Sequence, residues 1–259
     1  MKVDLIISTY NNPRAIVQIL SRIKNGSIQP NSVIIADDGS STQNQNLVKD
    51  ALLKLNINNN YCWHEDKGFR KSKILNESLR QCSGDYFVFL DGDCLPSYNF
   101  IKDHIRFAQA GYFVQGRRCF VSKDKVSSLL NGKTSLLKLS LSGNLKGLLK
   151  GIRFPIPLVK KNQTMYGLLG CNLGVWSNNL TAINGFDEGY EGWGREDSDV
   201  CARLYNLGLT RKMLYGRAVV YHLNHKENPR HKLEENNKRL IQTISNKIVE
   251  CKNGIKKLK

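Results

Sequence analysis

The chain has 259 residues, 41% of them hydrophobic and 24% charged; that is the balance of a globular protein with a substantial core and excludes wholesale disorder. Thirty-nine Lys and Arg against 22 Asp and Glu leave a formal charge of +17, so a polyanionic neighbour is expected: nucleic acid, an anionic membrane surface or a phosphorylated substrate. No apolar run reaches the ~20 residues of a spanning helix, and the start, MKVDLIISTYNN, turns polar too soon for a signal peptide. A cytoplasmic protein is therefore expected. Seven scattered cysteines without a CxxC pair fit reduced thiols better than a zinc ribbon or a disulfide framework.

In chain order, Val3–Ser8 reads as a buried strand and Pro13–Ile23 as a helix. Ser32–Ala36 is a second strand, Gln45–Leu55 a second helix and Tyr61–His64 a short third strand. Lys71–Gln81 follows as a helix and Tyr86–Leu90 as a central strand. This alternation predicts an α/β fold, a mostly parallel sheet with helices on both faces. In such sheets the ligand crevice lies at the carboxyl ends of the strands. Three polar loops fall there: Thr9-Tyr10-Asn11-Asn12, Asp37-Asp38-Gly39-Ser40 and Asp91-Gly92-Asp93.

Residues 122–162 differ in character. From Asn131 to Lys161 the chain carries Lys133, Lys138, Lys146, Lys150, Arg153, Lys160 and Lys161 with no acid, interleaved with leucines. That pattern suits an amphipathic segment on an anionic membrane, or an insertion whose leucines pack while its lysines are solvated. Gly143, Gly147 and Gly151 weaken a long helix there. A globular pattern resumes from 163, with a helix over Glu196–Leu207 and a strand over Ala218–Tyr221. Residues 226–259 hold ten basic and four acidic residues; a helix over Leu233–Val249 and a loose tail are expected.

Paired carboxylates at Asp91 and Asp93, right after an apolar strand, suit a divalent ion that bridges phosphates. Asp37 and Asp38 after a neighbouring strand could accept from a nucleobase N–H or a ribose hydroxyl. In Gly192-Trp193-Gly194-Arg195-Glu196-Asp197, glycines allow close backbone approach and an indole offers a face for a sugar ring. Asp197 or Glu196 would then be a general base, although acids at a helix start are also favoured by the helix dipole. His222 or His225, ending a strand, would complete a metal site, and Lys67, Arg70, Lys71 and Lys73 form a basic patch suited to a diphosphate.

Together, IISTYNN, VIIADDGS, DKGFRKSKILNESL, FVFLDGDC, GCNLGVW, INGFDEGYEGWGREDSDVCARLYNLG and VVYHLNH resemble a family 2 glycosyltransferase of GT-A fold. The second half is similar to the carboxyl-terminal segment of galactosyltransferases and chondroitin polymerases. The resemblance covers roughly 1–120 and 165–230. It implies one domain over 1–225, with a nucleotide-sugar half (1–120) and an acceptor half (163–225), and a basic helix and tail beyond it. Thr9, Asp37 and Asp38 would hold uridine, Arg70 would lie near the diphosphate, and Asp91 would meet the ribose or metal. Asp93 and His222 would bind Mn²⁺ or Mg²⁺. Asn172, Trp193 and Glu196 would line the acceptor side, with Asp197 the base. Leu75 stands where many relatives carry an arginine before the asparagine matched by Asn76, so no phosphate role for Lys71 or Lys73 is implied.

The reaction implied is inverting transfer from a UDP-sugar to a hydroxyl of a glycan such as lipopolysaccharide, capsule or a lipid-linked acceptor, on the inner face of a membrane. A metal-dependent nucleotidyltransferase would show a glycine-rich basic signature near the first strand, where this chain has TYNNPR. A nucleic-acid-binding protein would interleave aromatic with basic residues, whereas the basic excess here lies among leucines and in the tail.

Overall fold

Val3–Thr9 forms a strand, β1, because its apolar residues point both ways and both faces are covered. A computed structural model describes residues 1–225 and 229–257. Leu5 and Ile7 of β1 pack against Ile16, Ile19 and Ile23 of α1 (Pro13–Lys24), while Ile6 joins Ile74 and Leu75 of α3 (Lys71–Leu79) on the other face. At about 1.5–3 kcal/mol per buried aliphatic side chain, these two cores favour a doubly covered sheet. Pro13 opens α1, where its missing N–H costs nothing. β2 (Ser32–Asp37), α2 (Thr42–Leu53), β3 (Asn58–Trp63) and β4 (Tyr86–Asp91) complete the first half. β3, β2, β1 and β4 are all parallel, in that order. The order reverses between β1 and β4, so a crevice opens beyond their carboxyl ends.

The second half extends the same sheet. β6 (Tyr112–Gln115), β9 (Leu158–Asn162), β10 (Asn172–Trp176) and β11 (Thr210–Tyr215) continue it beyond β4 in the order β10, β6, β11, β9. β10 runs antiparallel to both β4 and β6. A second sheet, not anticipated from sequence, has the order β5 (Cys94–Pro96), β12 (Val220–Leu223), β7 (Arg118–Val121), β8 (Leu145–Lys146). It sets Cys94 opposite His222. Helices α4 (Phe100–Phe107), α5 (Lys123–Leu130), α6 (Leu136–Leu141), α7 (Ser177–Ala182), α8 (Glu196–Asn206) and α9 (Leu233–Ser245) complete the described elements, and no helix among them is long and apolar enough to cross a membrane. All seven cysteines are free thiols.

As its glycines imply, the segment 131–161 forms no long helix: Gly143 and Gly147 adopt left-handed backbone (φ +73° and +77°), and the chain breaks into α6, β8, a 3₁₀ turn at Leu148–Lys150 and β9. One expectation needs correction. The C-terminal tail is not loose as far as residue 257. Asn184 donates to the carbonyls of Cys251 (2.8 Å) and Lys256 (2.9 Å) and accepts from the Lys256 N–H (2.8 Å). Residues 226–228 and 258–259 of the basic C-terminal segment lie outside the described residues.

Helix α8 is fixed by a buried ion pair. Arg203 meets Asp199 at 2.7 Å with both side chains 1% exposed, and its guanidinium also donates to the carbonyls of Ile183 (2.6 Å) and Gly185 (2.8 Å). Tyr190 (3.2 Å) and Thr243 (2.8 Å) donate to the same carboxylate, the latter from α9. Removing one partner strands a buried charge. Asp199→Ala is therefore expected to destabilise the fold by about 3–5 kcal/mol, measured by urea unfolding, whereas Lys238→Ala in the exposed Lys238–Glu234 pair should leave the unfolding midpoint nearly unchanged.

Candidate active site

The crevice between β1 and β4 gathers charge from three places in the chain. Lys71 opens α3, Asp91 ends β4, and Glu196 and Asp197 open α8. The Lys71 Nζ lies 2.9 Å from Asp91 Oδ1, 3.4 Å from Glu196 Oε1 and 3.5 Å from Asp197 Oδ2. Ser8 at the end of β1 donates to Asp91 at 3.0 Å. Ser8, Lys71, Asp91, Gly170 and Asp197 line one small cavity. Gly170 is required there: a Cβ at this position would fall 1.8 Å from the Asp197 carboxyl carbon.

Electrostatics separates the two acids of α8. Burial is the largest influence on Asp197 and, with the charges of Glu196 and Asp91 added and Lys71 opposing, pushes its carboxyl up to about 7. Burial alone would depress Lys71, but Asp197, Asp91 and Glu196 outweigh it and hold the ammonium well above the ordinary lysine value. Asp197 keeps a quarter of its side chain exposed, against 8% for Glu196. Asp197 can therefore meet an incoming hydroxyl, and Glu196 is left to steady Lys71. Lys71 stands apart from the diphosphate patch in which sequence had grouped it: the fold encloses it in carboxylates.

A second cluster forms where β4 leads into β5. Asp93 Oδ2 lies 2.8 Å from His225 Nε2 and 3.3 Å from His222 Nε2. One ligand atom from each residue fits within 4.8 Å of the others. One carboxylate oxygen and two imidazole nitrogens suit a first-row divalent cation, so the donor set fits Mn²⁺ better than Mg²⁺. Both histidines, alternatives in sequence, reach Asp93. Burial pulls the His222 imidazole below its ordinary value and keeps its lone pair free to bind. The Asp93 carboxyl, which burial would raise, is held low chiefly by its hydrogen bond with His225.

The remaining expected residues divide. Asp37 is fully buried; it accepts from the Ser40 N–H (2.8 Å) and the Tyr61 hydroxyl, so it braces its own loop and does not face the crevice. Asp38 meets His64 Nε2 (2.6 Å) and accepts from the Arg70 N–H (2.9 Å), tying the loop before α3 to the end of β2. Arg70 donates its guanidinium to the Glu65 carbonyl. Gly39, at φ +100°, allows these loops to touch, since a Cβ there would come 2.6 Å from Asp66 Cα. Thr9 accepts from the Asp38 N–H at 2.9 Å, and its hydroxyl is buried without a hydrogen-bond partner.

Asn172, expected on the acceptor side, lies fully buried in β10. It donates to the Ala218 carbonyl (2.6 Å) and meets His104 Nε2 at 2.9 Å. Because its amide N–H is used on Ala218, its oxygen accepts from His104 Nε2–H. Asn172 therefore supports the turn that launches β12 and His222. Trp193 is half-buried, with the Arg230 guanidinium 5.0 Å from its ring centroid. Its loop is held by the Gly192 N–H to the Phe69 carbonyl (2.9 Å) and by Asn236 of α9, which donates to the carbonyls of Glu191 and Gly194. Asn236 had no signal in the sequence beyond its place on a polar helix.

With this geometry in hand, the comparisons define the class of protein. A family model described as glycosyl transferase family 2 matches residues 4–157, and one described as the N-terminal domain of galactosyltransferase matches residues 155–226. The chain belongs to glycosyl transferase family 2. Chondroitin synthase of Escherichia coli is 24% identical over 237 residues, covering 85% of this chain and 34% of that protein. Of the solved structures, S. aureus TarS 1-349 in complex with UDP-GlcNAc superposes with a TM-score of 0.65 at 18% identity, covering 95% of this chain and 66% of that one. The mannosyltransferase PcManGT from Pyrobaculum calidifontis, in complex with GDP-Man and Mn²⁺, gives 0.55 at 19% identity over 85% and 56%. These likenesses show the GT-A fold. The chain spans about a third of the length of the curated relatives it matches.

Site-resolved ¹³C NMR of the aspartate carboxyls should find Asp197 titrating near 7. Lys71→Met removes the opposing charge and is expected to raise that midpoint by about one unit or more, while Lys71→Arg leaves it near the wild-type value.

Proposed function

We propose that the chain is an inverting glycosyltransferase that moves a hexosyl or N-acetylhexosaminyl group from a UDP-sugar to a hydroxyl of a glycan acceptor. The acceptor class we favour is cell-surface polysaccharide, including lipopolysaccharide, capsule and lipid-linked glycans on the inner face of a membrane. The observation that carries this reading is the pairing, at one sheet end, of a half-sheltered carboxylate raised to about 7 with an Asp93–His222–His225 cation site. Relatives named as polysaccharide synthases and neighbours solved with UDP-GlcNAc, or with GDP-Man and Mn²⁺, support it.

In this reading Thr9, Asp38 and Asp91 face the nucleoside and Arg70 the diphosphate, with Asp37 acting only by bracing its loop. Trp193 offers an apolar face to the acceptor sugar. Asp197 takes the proton of the attacking hydroxyl. That oxygen bonds to the anomeric carbon from the side opposite the diphosphate, and the anomeric C–O bond breaks with its electron pair leaving on UDP. A divalent ion held by Asp93, His222 and His225 supplies, when bound, positive charge beside that leaving group. Lys71, locked among three carboxylates, keeps Asp197 ionised enough to act near neutral pH.

A panel of UDP-sugars assayed for UDP release with Mn²⁺ tests the proposal; the expected result is turnover with one or two of them. Turnover should fall as pH drops through about 7, because Asp197 must be ionised to act. Asp197→Asn should lower it by about 10²–10⁴-fold with donor binding retained. Asp93→Ala should lower it by at least about 100-fold. A chain that binds no UDP-sugar, or an Asp93→Ala variant as active as wild type, would overturn this function.

A further inference from the structure

No acidic residue lies between Asp124 and Asp187, while the same stretch carries eight lysines and arginines. Its leucines split into two sets. Leu139 and Leu145 are buried in the main core, and Leu136 and Leu148 pack partly against it. Their neighbours face water: Leu137 is 71% exposed, Leu141 82%, Leu149 80% and Ile156 77%. Leu137 and Leu141, one turn apart on α6, share a helix face.

On α6 the opposite face is already buried through Leu139, and the backbone around Leu149 and up to Ile156 is clamped. Arg153 grips the buried Asp103 through two hydrogen bonds of 2.7 and 2.9 Å, and the Asp103 carboxylate also accepts from the Ala218 N–H at 2.8 Å. Arg217 donates to the carbonyls of Phe154 and Pro155. Gly216 donates its N–H to the Lys150 carbonyl at 2.9 Å, and β8 pairs with β7. Exposed leucines on a fixed scaffold, set among Lys138, Lys146 and Lys150, combine an apolar surface with positive charge and nothing to repel an anion.

We infer that this segment docks on an anionic lipid bilayer, its exposed leucines entering the headgroup–acyl boundary and its lysines meeting lipid phosphates. Lipid is favoured over a nucleic acid because the exposed side chains next to Lys138, Lys146 and Lys150 are leucines, which suit acyl chains, and the exposed rings of the stretch, Phe154 and Tyr166, lie outside that group. It is favoured over a second copy of the chain because two such faces would repel. The inference deepens the membrane-side acceptor of the proposed function and rests on that reading for its purpose, but its test needs no turnover.

Co-sedimentation of the full chain with phosphatidylcholine vesicles, with and without phosphatidylglycerol, is the experiment. Binding to the anionic vesicles is expected, weakening as salt rises, with little binding to neutral ones. Two triple variants at exposed positions, Leu137→Ser/Leu141→Ser/Leu149→Ser and Lys138→Glu/Lys146→Glu/Lys150→Glu, should each lose at least about tenfold in vesicle affinity. Both should keep wild-type UDP release with a soluble acceptor and an unchanged gel-filtration volume. Equal binding to both vesicle types, variants that bind as wild type does, or a wild-type dimer that either variant dissociates would overturn the inference. Vesicle binding without UDP release would instead count against the transferase reading alone.

Discussion

A buried ammonium surrounded by three carboxylates is the constraint around which the crevice is built. Lys71 belongs to α3, Asp91 to β4, and Glu196 and Asp197 to α8, so the cluster forms only once both halves of the chain share one sheet. An unpaired charge in such a place would cost several kcal/mol. One ammonium against three carboxylates leaves a surplus of negative charge, and with burial that surplus gives the site a carboxylate that is partly ionised at neutral pH and partly open to solvent. The first turn of α8 would by its dipole favour negative charge, yet burial dominates at Asp197 and drives it the other way.

Alongside this cluster, the second sheet does work that the first cannot. Pairing of β12 with β5 brings His222 beside Asp93, and the turn that starts β12 is held by Asn172 and Asp103 from other layers. The candidate metal residues and the candidate base are thus carried by different elements that meet across the strand switch point. In the proposed reaction this separation would give the leaving group one end of the crevice and the attacking hydroxyl the other.

Where strands are uniformly apolar, as in β1, β2 and β4, the amino-acid pattern predicts them and their polar ends mark the crevice. β11 escaped that reading because it contains Arg211 and Lys212, both buried. The terminal nitrogens of Arg211 donate to Gln115, Asn162 and the carbonyls of Thr164 and Tyr166, and Lys212 donates to the Phe107 carbonyl and Gln109. Such hydrogen bonds are long-range and leave no local trace. Lys71 was grouped with its basic neighbours for the same reason: its carboxylate partners lie at least twenty residues away in sequence. Asp91, Asp93, Asp197 and the histidines stood out because acids and imidazoles clustered at strand and helix ends are locally conspicuous. Asp37 and Asn172 share that appearance, yet the fold uses them as internal braces.

His104 carries a cost of its own. Its hydrogen bond to Asn172 is made within the core, where burial draws the imidazole down to about 4 from an ordinary 6.5. Between those values an unfolded chain takes up a proton that the folded one refuses, so folding stability climbs with pH through that interval and sinks as the medium acidifies, by on the order of 3 kcal/mol in all. The same strut that keeps the β12 turn in place therefore makes this protein acid-sensitive from within, well before its surface carboxylates begin to protonate.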